Sequence, residues 1–186
     1  MMGVEMWRKI SFREWPYILH PRPITIVASK FKNKLSAMAA SWTMPVSRKP
    51  PVVAVAIAKN RFTYELIIKS KEFSLNLLPK EYLEKIQFLG TVSGREFVNK
   101  IEAANLTMAS AKRIGSPIIL ESLAILECIL RKDIESGDHN IIVGEIIEAY
   151  ARKEFNILNE ETIRRIPLHV RSNKYTSPIG EIIEVE

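Results

Sequence analysis

Cysteine and glycine are both scarce in this chain, whose 186 residues include one cysteine and seven glycines. Cys128 has no second cysteine to pair with, so an internal disulfide and a cysteine-rich metal cage are excluded, and we expect no metal site. No GxGxxG motif is present, which excludes the glycine-rich phosphate loop of a Rossmann dinucleotide site. Stability must therefore come from an apolar core, which a chain of this length can build as a single domain.

Long apolar runs are absent as well. No stretch approaches the ~18 residues that a membrane-spanning helix needs, and the first ten residues lack the apolar segment of a signal peptide. We therefore expect a cytoplasmic protein with no membrane partner. The net charge of +6 comes from scattered basic residues that do not alternate with aromatics, so no nucleic-acid partner is expected. A modest positive charge favours phosphorylated cofactors and substrates.

The pattern of apolar residues predicts many strands and few, short helices. Residues 52–58 (VVAVAIA) form an apolar run typical of a strand covered on both faces, and their small alanines allow close approach on one side. The other predicted strands are residues 24–29, 35–41, 72–78, 118–121, 123–132, 139–151 and 180–186. The predicted helices lie within residues 60–70, 81–89, 91–100 and 160–165. Because strands and helices do not alternate regularly, a closed antiparallel barrel with peripheral helices is favoured.

The segment before the long strand has the composition of a ligand-binding loop. Residues 36–41 are mostly small and leave the backbone accessible, while Trp42 and Met44 supply flat apolar surface beside them. Asn60 or Thr63 is expected to cap the following helix and leave its first amides free for an anion. This combination would suit a planar heterocycle that carries a phosphate. The alternative is an ordinary strand, loop and strand with a tryptophan in the core.

Short motifs along the chain resemble, in the same order, those of the flavin reductase-like family, and most closely its flavoredoxin-type members. The motifs are HPRPITIVAS at 20–29, the small-residue loop ending at 41–42, PVSRKPPVVAVAI at 45–57, NRFTYE at 60–65, FSLNLL at 73–78, SGR at 93–95, LEC at 126–128 with GDH at 137–139, and NKY at 173–175. The resemblance covers about residues 19–175. It implies a mainly β fold, an FMN-binding split β-barrel of Greek-key type with short peripheral helices. The whole of 1–186 would be one domain, with an N-terminal arm at 1–17 and a C-terminal closing segment at 167–186.

The resemblance also implies a homodimer that binds FMN near the subunit interface. Thr63 and Lys100 would contact the phosphate or ribityl chain, His139 would be the catalytic residue at the flavin or nicotinamide entry, and Tyr175 would close the pocket. The implied cofactor-binding residues are Ser36, Met38, Ala39, Ala40, Ser41, Trp42, Asn60, Thr63, Lys100 and Tyr175. The chain departs from the family at Ser36, where asparagine is usual, and at Ala39, where threonine is common, so two hydrogen bonds to flavin are in doubt.

The implied activity is hydride transfer from NADH or NADPH to flavin N5, and the alternative is a flavoredoxin-like carrier that passes electrons to an acceptor protein. Each chosen residue also has a simpler interpretation. Trp42 could be a core residue, His139 could cap a turn, and Lys100 could be a solvated surface lysine. Cys128 fits a buried thiol on one face of a strand. Glu127 and Glu145 could face each other across the hairpin, but nothing else in the sequence supports a catalytic carboxylate pair.

Overall fold

A computed structural model describes residues 8–180 of the chain. The predicted strand at 180–186 lies outside the described residues except for Gly180, and so do residues 1–7 of the predicted arm. The strands are β1 Arg22–Pro23, β2 Thr25–Phe31, β3 Lys34–Ala40, β4 Thr43–Arg48, β5 Pro51–Ala58, β6 Glu72–Leu77, β7 Met108–Ala109, β8 Ile118–Ile119, β9 Ala124–Ser136, β10 His139–Ala151, β11 Leu168–Arg171 and β12 Lys174–Thr176. The α-helices are α1 Phe62–Ser70, α2 Leu83–Thr91, α3 Lys100–Ala103 and α4 Glu160–Arg164.

Seven antiparallel strands form one curled sheet in the order β3-β2-β6-β9-β10-β5-β4. The strands β3 and β4 lie at opposite edges of this sheet, yet only Ser41 and Trp42 separate them in the chain. The two edges therefore meet at this point, where the hydroxyl oxygens of Thr25 and Thr43 lie 3.0 Å apart. This arrangement confirms the predicted mainly β split barrel with few helices.

Two apolar clusters lie on opposite faces of the barrel wall. The interior cluster contains Val55, Ile57 and Phe73 together with Ile67 of α1. The outer cluster packs α2 and α3 against the other face of β2 and β3. Because side chains alternate along a strand, β3 contributes Met38 to the interior cluster and its neighbours to the outer one. Among residues 8–180, no helix is long and apolar enough to cross a membrane.

The structure confirms most predicted strands and corrects three local expectations. A strand, β4, occupies residues for which we predicted no strand. Its side chains are mostly exposed, and its register shifts after Pro45, as an edge strand permits. The hairpin of β11 and β12 also lies where we predicted no strand, and its residues are half-buried or exposed. Strand β5 is not covered on both faces along its whole length, since Ala56 and Ala58 are only half-buried.

The predicted strands at 123–132 and 139–151 form the hairpin of β9 and β10, which turns at Gly137, where φ is +70°. The expected pairing of Glu127 with Glu145 is wrong, because a register shift places Glu148 opposite Glu127. The Glu127 carboxylate is buried and accepts hydrogen bonds from the amides of Lys112 and Arg113 and the hydroxyl of Tyr150. This carboxylate therefore fixes a loop against the barrel and has the contacts of a structural group.

Candidate functional site

A cleft of about 420 Å³ opens between the edge strand β3, the start of α1 and the segment that joins α2 to α3. Its volume lies within the range of cofactor sites. The following predicted site residues line it: Ser36, Met38, Asn60, Thr63, Lys100 and His139. The structure thus brings together residues that are far apart in the sequence, and we call this cavity the flavin cleft.

Hydroxyl groups and a close backbone approach form the floor of the flavin cleft. The Thr63 hydroxyl donates a hydrogen bond to the Ser36 hydroxyl at 2.9 Å, and both side chains are buried. Gly94 lies against Ser36 and Phe62, and a Cβ at this position would be 2.2 Å from Ser36 Oγ. The expected helix cap is wrong. Arg61 is the N-cap residue, and neither Asn60 nor Thr63 caps the helix, because no side chain accepts from its first amides.

Positive charge gathers at one end of the flavin cleft. The Lys100 side chain is only 2% exposed, and its amine donates to the carbonyl oxygen of Leu89 at 2.7 Å. Burial and the nearby Arg61 guanidinium lower the pKa of Lys100 to about 8, while Glu96 acts in the opposite direction. The first amides of α1 have no intrahelical partners and no cap. The Lys100 amine, the Arg61 guanidinium and the first amides of α1 therefore all border the flavin cleft, and together they suit an anion such as a phosphate.

An aromatic pair lies between the flavin cleft, which His139 lines, and an apolar pocket, which Trp42 lines. The rings of Trp42 and His139 are 5.0 Å apart, with 36° between their planes. His139 is half-buried, and its Nδ1 lies 2.8 Å from the carboxylate of Asp138. The apolar pocket behind Trp42 has a volume of about 170 Å³ and is also lined by residues of β4, β5 and the turn Trp15–Leu19. The predicted site residue Trp42 therefore does not line the flavin cleft itself and meets it only through the His139 ring.

The remaining predicted residues lie on another side of β3. Ala39, Ser41 and Tyr175 line a second cavity of about 150 Å³, which we call the side cavity. Thr91 lines both this cavity and the flavin cleft. The Tyr175 hydroxyl donates to the side-chain oxygen of Gln87. Ala40 lines neither cavity and belongs to the interior apolar cluster.

Sequence reasoning missed several residues that line these cavities, among them Arg61, Gln87 and His169. Arg61 was not selected, although an arginine directly before a helix start at an expected phosphate site is a readable signal. Gln87 and His169 were also missed. Nothing in their local sequence marks them, since α2 and β11 bring them to the side cavity only through the fold.

Residues 18–168 match the flavin reductase like domain family, and this match covers most of the chain. The chain belongs to this family. An uncharacterized protein of Aeropyrum pernix is 35% identical to it over 148 residues, which are 80% of this chain and 56% of that protein. The chain therefore spans little more than half the length of this relative.

Solved structures of the same fold include two flavoproteins. An FMN-binding protein from Thermus thermophilus, solved with bound 1-cyclohex-2-enone, superposes with a TM-score of 0.84 at 24% identity, covering 96% of this chain and 98% of that one. A flavoredoxin from Methanosarcina acetivorans superposes with a TM-score of 0.83 at 24% identity, covering 96% and 94%. At this level of identity, the two superpositions establish the shared fold of this flavin reductase-like chain.

Proposed function

We propose that the protein is an FMN-binding oxidoreductase whose flavin is reduced by NADH or NADPH. The observation that carries this proposal is the buried amine of Lys100, which lies with Arg61 and the start of α1 at one end of a cleft whose volume fits a cofactor. A buried cation without a carboxylate partner among the described residues is a suitable counter-charge for a phosphate.

The chain contributes binding and orientation to the reaction. Lys100, Arg61 and the first amides of α1 hold the phosphate end. Ser36, Met38 and His139 also line the cleft, and the Trp42 ring packs against His139. Bound FMN supplies the hydride chemistry, which free amino-acid side chains cannot perform. As the edge strand of the sheet, β3 also presents backbone groups that do not pair with β2, and these can meet the polar edge of a flavin.

Anaerobic stopped-flow absorbance tests this function. The FMN-loaded protein is mixed with NADH or with NADPH, and the flavin absorbance is followed. We expect bleaching that saturates with at least one of the two donors. Dithionite reduction provides the fully bleached reference. A flavin that dithionite bleaches but neither nicotinamide does would contradict the reductase proposal.

A second candidate function is electron transfer without direct use of a nicotinamide. The similarity to the Methanosarcina flavoredoxin, which covers 96% of this chain, favours this candidate. It predicts that protein reduced by dithionite is reoxidised rapidly by an iron-containing acceptor protein while both nicotinamides remain inert. The same stopped-flow instrument therefore separates the two functions.

We further propose that the protein is a homodimer. Exposed apolar side chains surround the apolar pocket behind Trp42, and they include Trp15, Leu19 and Met44. Covering such a surface with a second copy removes apolar area from water. Light scattering of the FMN-loaded protein at micromolar concentration should give twice the 21.3 kDa chain mass. A monomer mass under these conditions would contradict the dimer.

A further inference from the structure

Two histidines join the N-terminal turn to the hairpin of β11 and β12. The Nδ1 atom of His20 lies 3.0 Å from the carbonyl oxygen of His169, and Nε2 of His169 lies 3.1 Å from the carbonyl oxygen of Ser172. A carbonyl oxygen can only accept, so each of these nitrogens must carry the hydrogen. The two bonds therefore fix a different tautomer on each ring, with Nδ1–H on His20 and Nε2–H on His169.

The other nitrogen of each ring is buried and unpartnered. His20 Nε2 and His169 Nδ1 have no hydrogen-bond partner among the described residues. In the neutral rings these atoms carry only a lone pair, and protonation would place an N–H there without an acceptor. The ring centroids are 5.2 Å apart, so two protonated rings would also repel each other. The observed packing is therefore the packing of two neutral histidines.

The His169 ring reaches the wall of the side cavity. The His169 ring lies 5.5 Å from the Tyr175 ring, and both residues line the side cavity with Ser41. On the opposite side, His20 packs at 5.5 Å against Tyr17 of the N-terminal turn. A row of four rings thus connects that turn to the wall of the side cavity, which adjoins the flavin cleft at Thr91.

We propose that His20 and His169 are positioning residues that hold Tyr175 and the β11–β12 hairpin against the side cavity, beside the flavin cleft, only while the His169 imidazole is neutral. Acidification then releases the hairpin and weakens FMN binding. This inference rests on the proposed function for its effect on FMN, whereas the release of the hairpin itself does not.

Burial of the ring favours a neutral His169, and the charged groups of the N-terminal side contact Tyr17 instead. The Arg171 guanidinium lies 4.9 Å from the centroid of the Tyr17 ring on the N-terminal side, and Glu14 is close enough to interact with Arg171. Tyr175 faces His169 from β12, and its pKa is raised by burial, so it stays neutral. Burial lowers the pKa of His169; the bond to Ser172 opposes this shift and His20 adds to it. The closed hairpin thus binds a proton on His169 less readily than an open one, and closure weakens as pH falls below about 6.5.

Hydrogen exchange of the flavin-free protein tests the hairpin directly. Protection factors for residues 168–176 are compared at pH 7.5 and pH 5.5, with β9 as an internal reference. We expect protection of the hairpin to fall at least tenfold at pH 5.5 while that of β9 is unchanged. In His169→Phe, which keeps a ring but can neither titrate nor donate to Ser172, the fall in hairpin protection between pH 7.5 and pH 5.5 should be smaller than in the wild type, whatever the protection at pH 7.5. Equal hairpin protection at both pH values in the wild type would overturn the proposal.

Titration of FMN into the protein tests the effect on binding. The FMN phosphate also titrates in this range, but it does so equally in the wild type and in His169→Phe. We expect the dissociation constant to rise at least tenfold more in the wild type than in the variant between pH 7.5 and 5.5. Identical rises would overturn the link to flavin. If FMN fails to bind even at pH 7.5, the proposed function is wrong, and hydrogen exchange still decides the hairpin. His20→Gln, whose amide can still donate to His169, serves as a second variant and should also reduce the acid effect.

Discussion

The Thr63 hydroxyl donates to the Ser36 hydroxyl at 2.9 Å and so joins the first turn of α1 to the edge strand β3. Both residues line the flavin cleft. Gly94, which also lines it, packs directly on Ser36 and Phe62. Ser36 therefore contacts both the start of α1 and the Gly94 loop across the cleft.

Gly94→Ala should destabilise the protein and narrow the cleft. The added Cβ would meet Ser36 Oγ at 2.2 Å and Phe62 Cδ1 at 3.1 Å, so the loop or β3 must move. We expect a loss of about 1–3 kcal/mol in the free energy of unfolding, measured by urea denaturation. Gly180→Ala is the matched control, because a Cβ there meets nothing within 4 Å. Adding Ser36→Gly to Gly94→Ala should recover part of the lost free energy of unfolding. If Gly94→Ala and Gly180→Ala have the same free energy of unfolding, this packing is contradicted.

Glu127→Gln should lower the free energy of unfolding at neutral pH, and the variant should lose less of that free energy than the wild type when the pH is lowered. Burial raises the pKa of Glu127, but bonds from the amides of Lys112 and Arg113 and from Tyr150 outweigh it and hold the pKa below the ordinary value. Such a carboxylate contributes its full stability above its unfolded pKa of about 4.3 and loses it as pH falls through the lower folded pKa.

We expect Glu127→Gln to cost about 1.5–3 kcal/mol at pH 7, the scale of bonds to a charged group. The difference from the wild type should shrink below about pH 4. Denaturation curves from pH 7 to pH 3 measure both effects. Glu145→Gln, on the same hairpin and paired with Arg131 near the surface, is the control and should change stability by less than about 1 kcal/mol. If the difference in free energy of unfolding between Glu127→Gln and the wild type stays constant with pH, Glu127 does not act through its charge.

The affinity for FMN should fall as pH rises above about 8. Burial and Arg61 lower the pKa of Lys100 to about 8 in the flavin-free protein, so the amine is largely neutral at pH 9. A bound phosphate favours the charged amine and raises this pKa, so binding takes up a proton. We expect the dissociation constant to increase towards tenfold per pH unit above pH 8. Calorimetry in buffers of different ionisation enthalpy measures the uptake, and Lys100→Met should abolish both effects. If proton uptake on FMN binding persists in Lys100→Met, a group other than Lys100 takes up the proton.

His139→Ala should slow flavin reduction with little change in stability. The imidazole lines the flavin cleft and packs on Trp42, and its Nδ1 contacts only the exposed carboxylate of Asp138. We expect the melting temperature to stay within a few degrees while the stopped-flow reduction rate falls. Asp138→Asn provides a comparison that keeps the ring in place. If the variant loses about 1 kcal/mol of stability and keeps its rate, His139 is a turn-capping residue.

Regular patterns in the sequence predicted the barrel well, and long-range contacts limited the prediction of the site. The apolar runs of β5, β9 and β10 are local signals, and these strands formed as expected. Strand β4 was missed because its side chains are exposed and Pro45 interrupts the pattern, features that an edge strand tolerates. Its pairing with β5 gives it a strand conformation that its own residues do not indicate.

The site shows the same division between local and long-range information. Ser36, Thr63, Lys100 and His139 were placed in one site by resemblance, and the fold does bring them to one cleft. The predicted cap failed because Thr63 bonds to Ser36, 27 residues earlier in the chain. The burial of Lys100 and the tautomers of His20 and His169 depend on neighbours distant in sequence, so no local pattern could reveal them.

Equilibrium titration with FMN and with riboflavin tests the central claim most directly, because the two flavins differ only in the phosphate. Wild-type protein should bind one FMN per chain and hold it at least tenfold more tightly than riboflavin, as flavin or tryptophan fluorescence reports. Lys100→Met should weaken FMN by about 1.5–3 kcal/mol and leave riboflavin nearly unchanged, because the variant removes a charged hydrogen bond to the phosphate. Equal affinities for FMN and riboflavin in the wild type, or no saturable binding of either, would contradict a phosphate site formed by Lys100, Arg61 and α1.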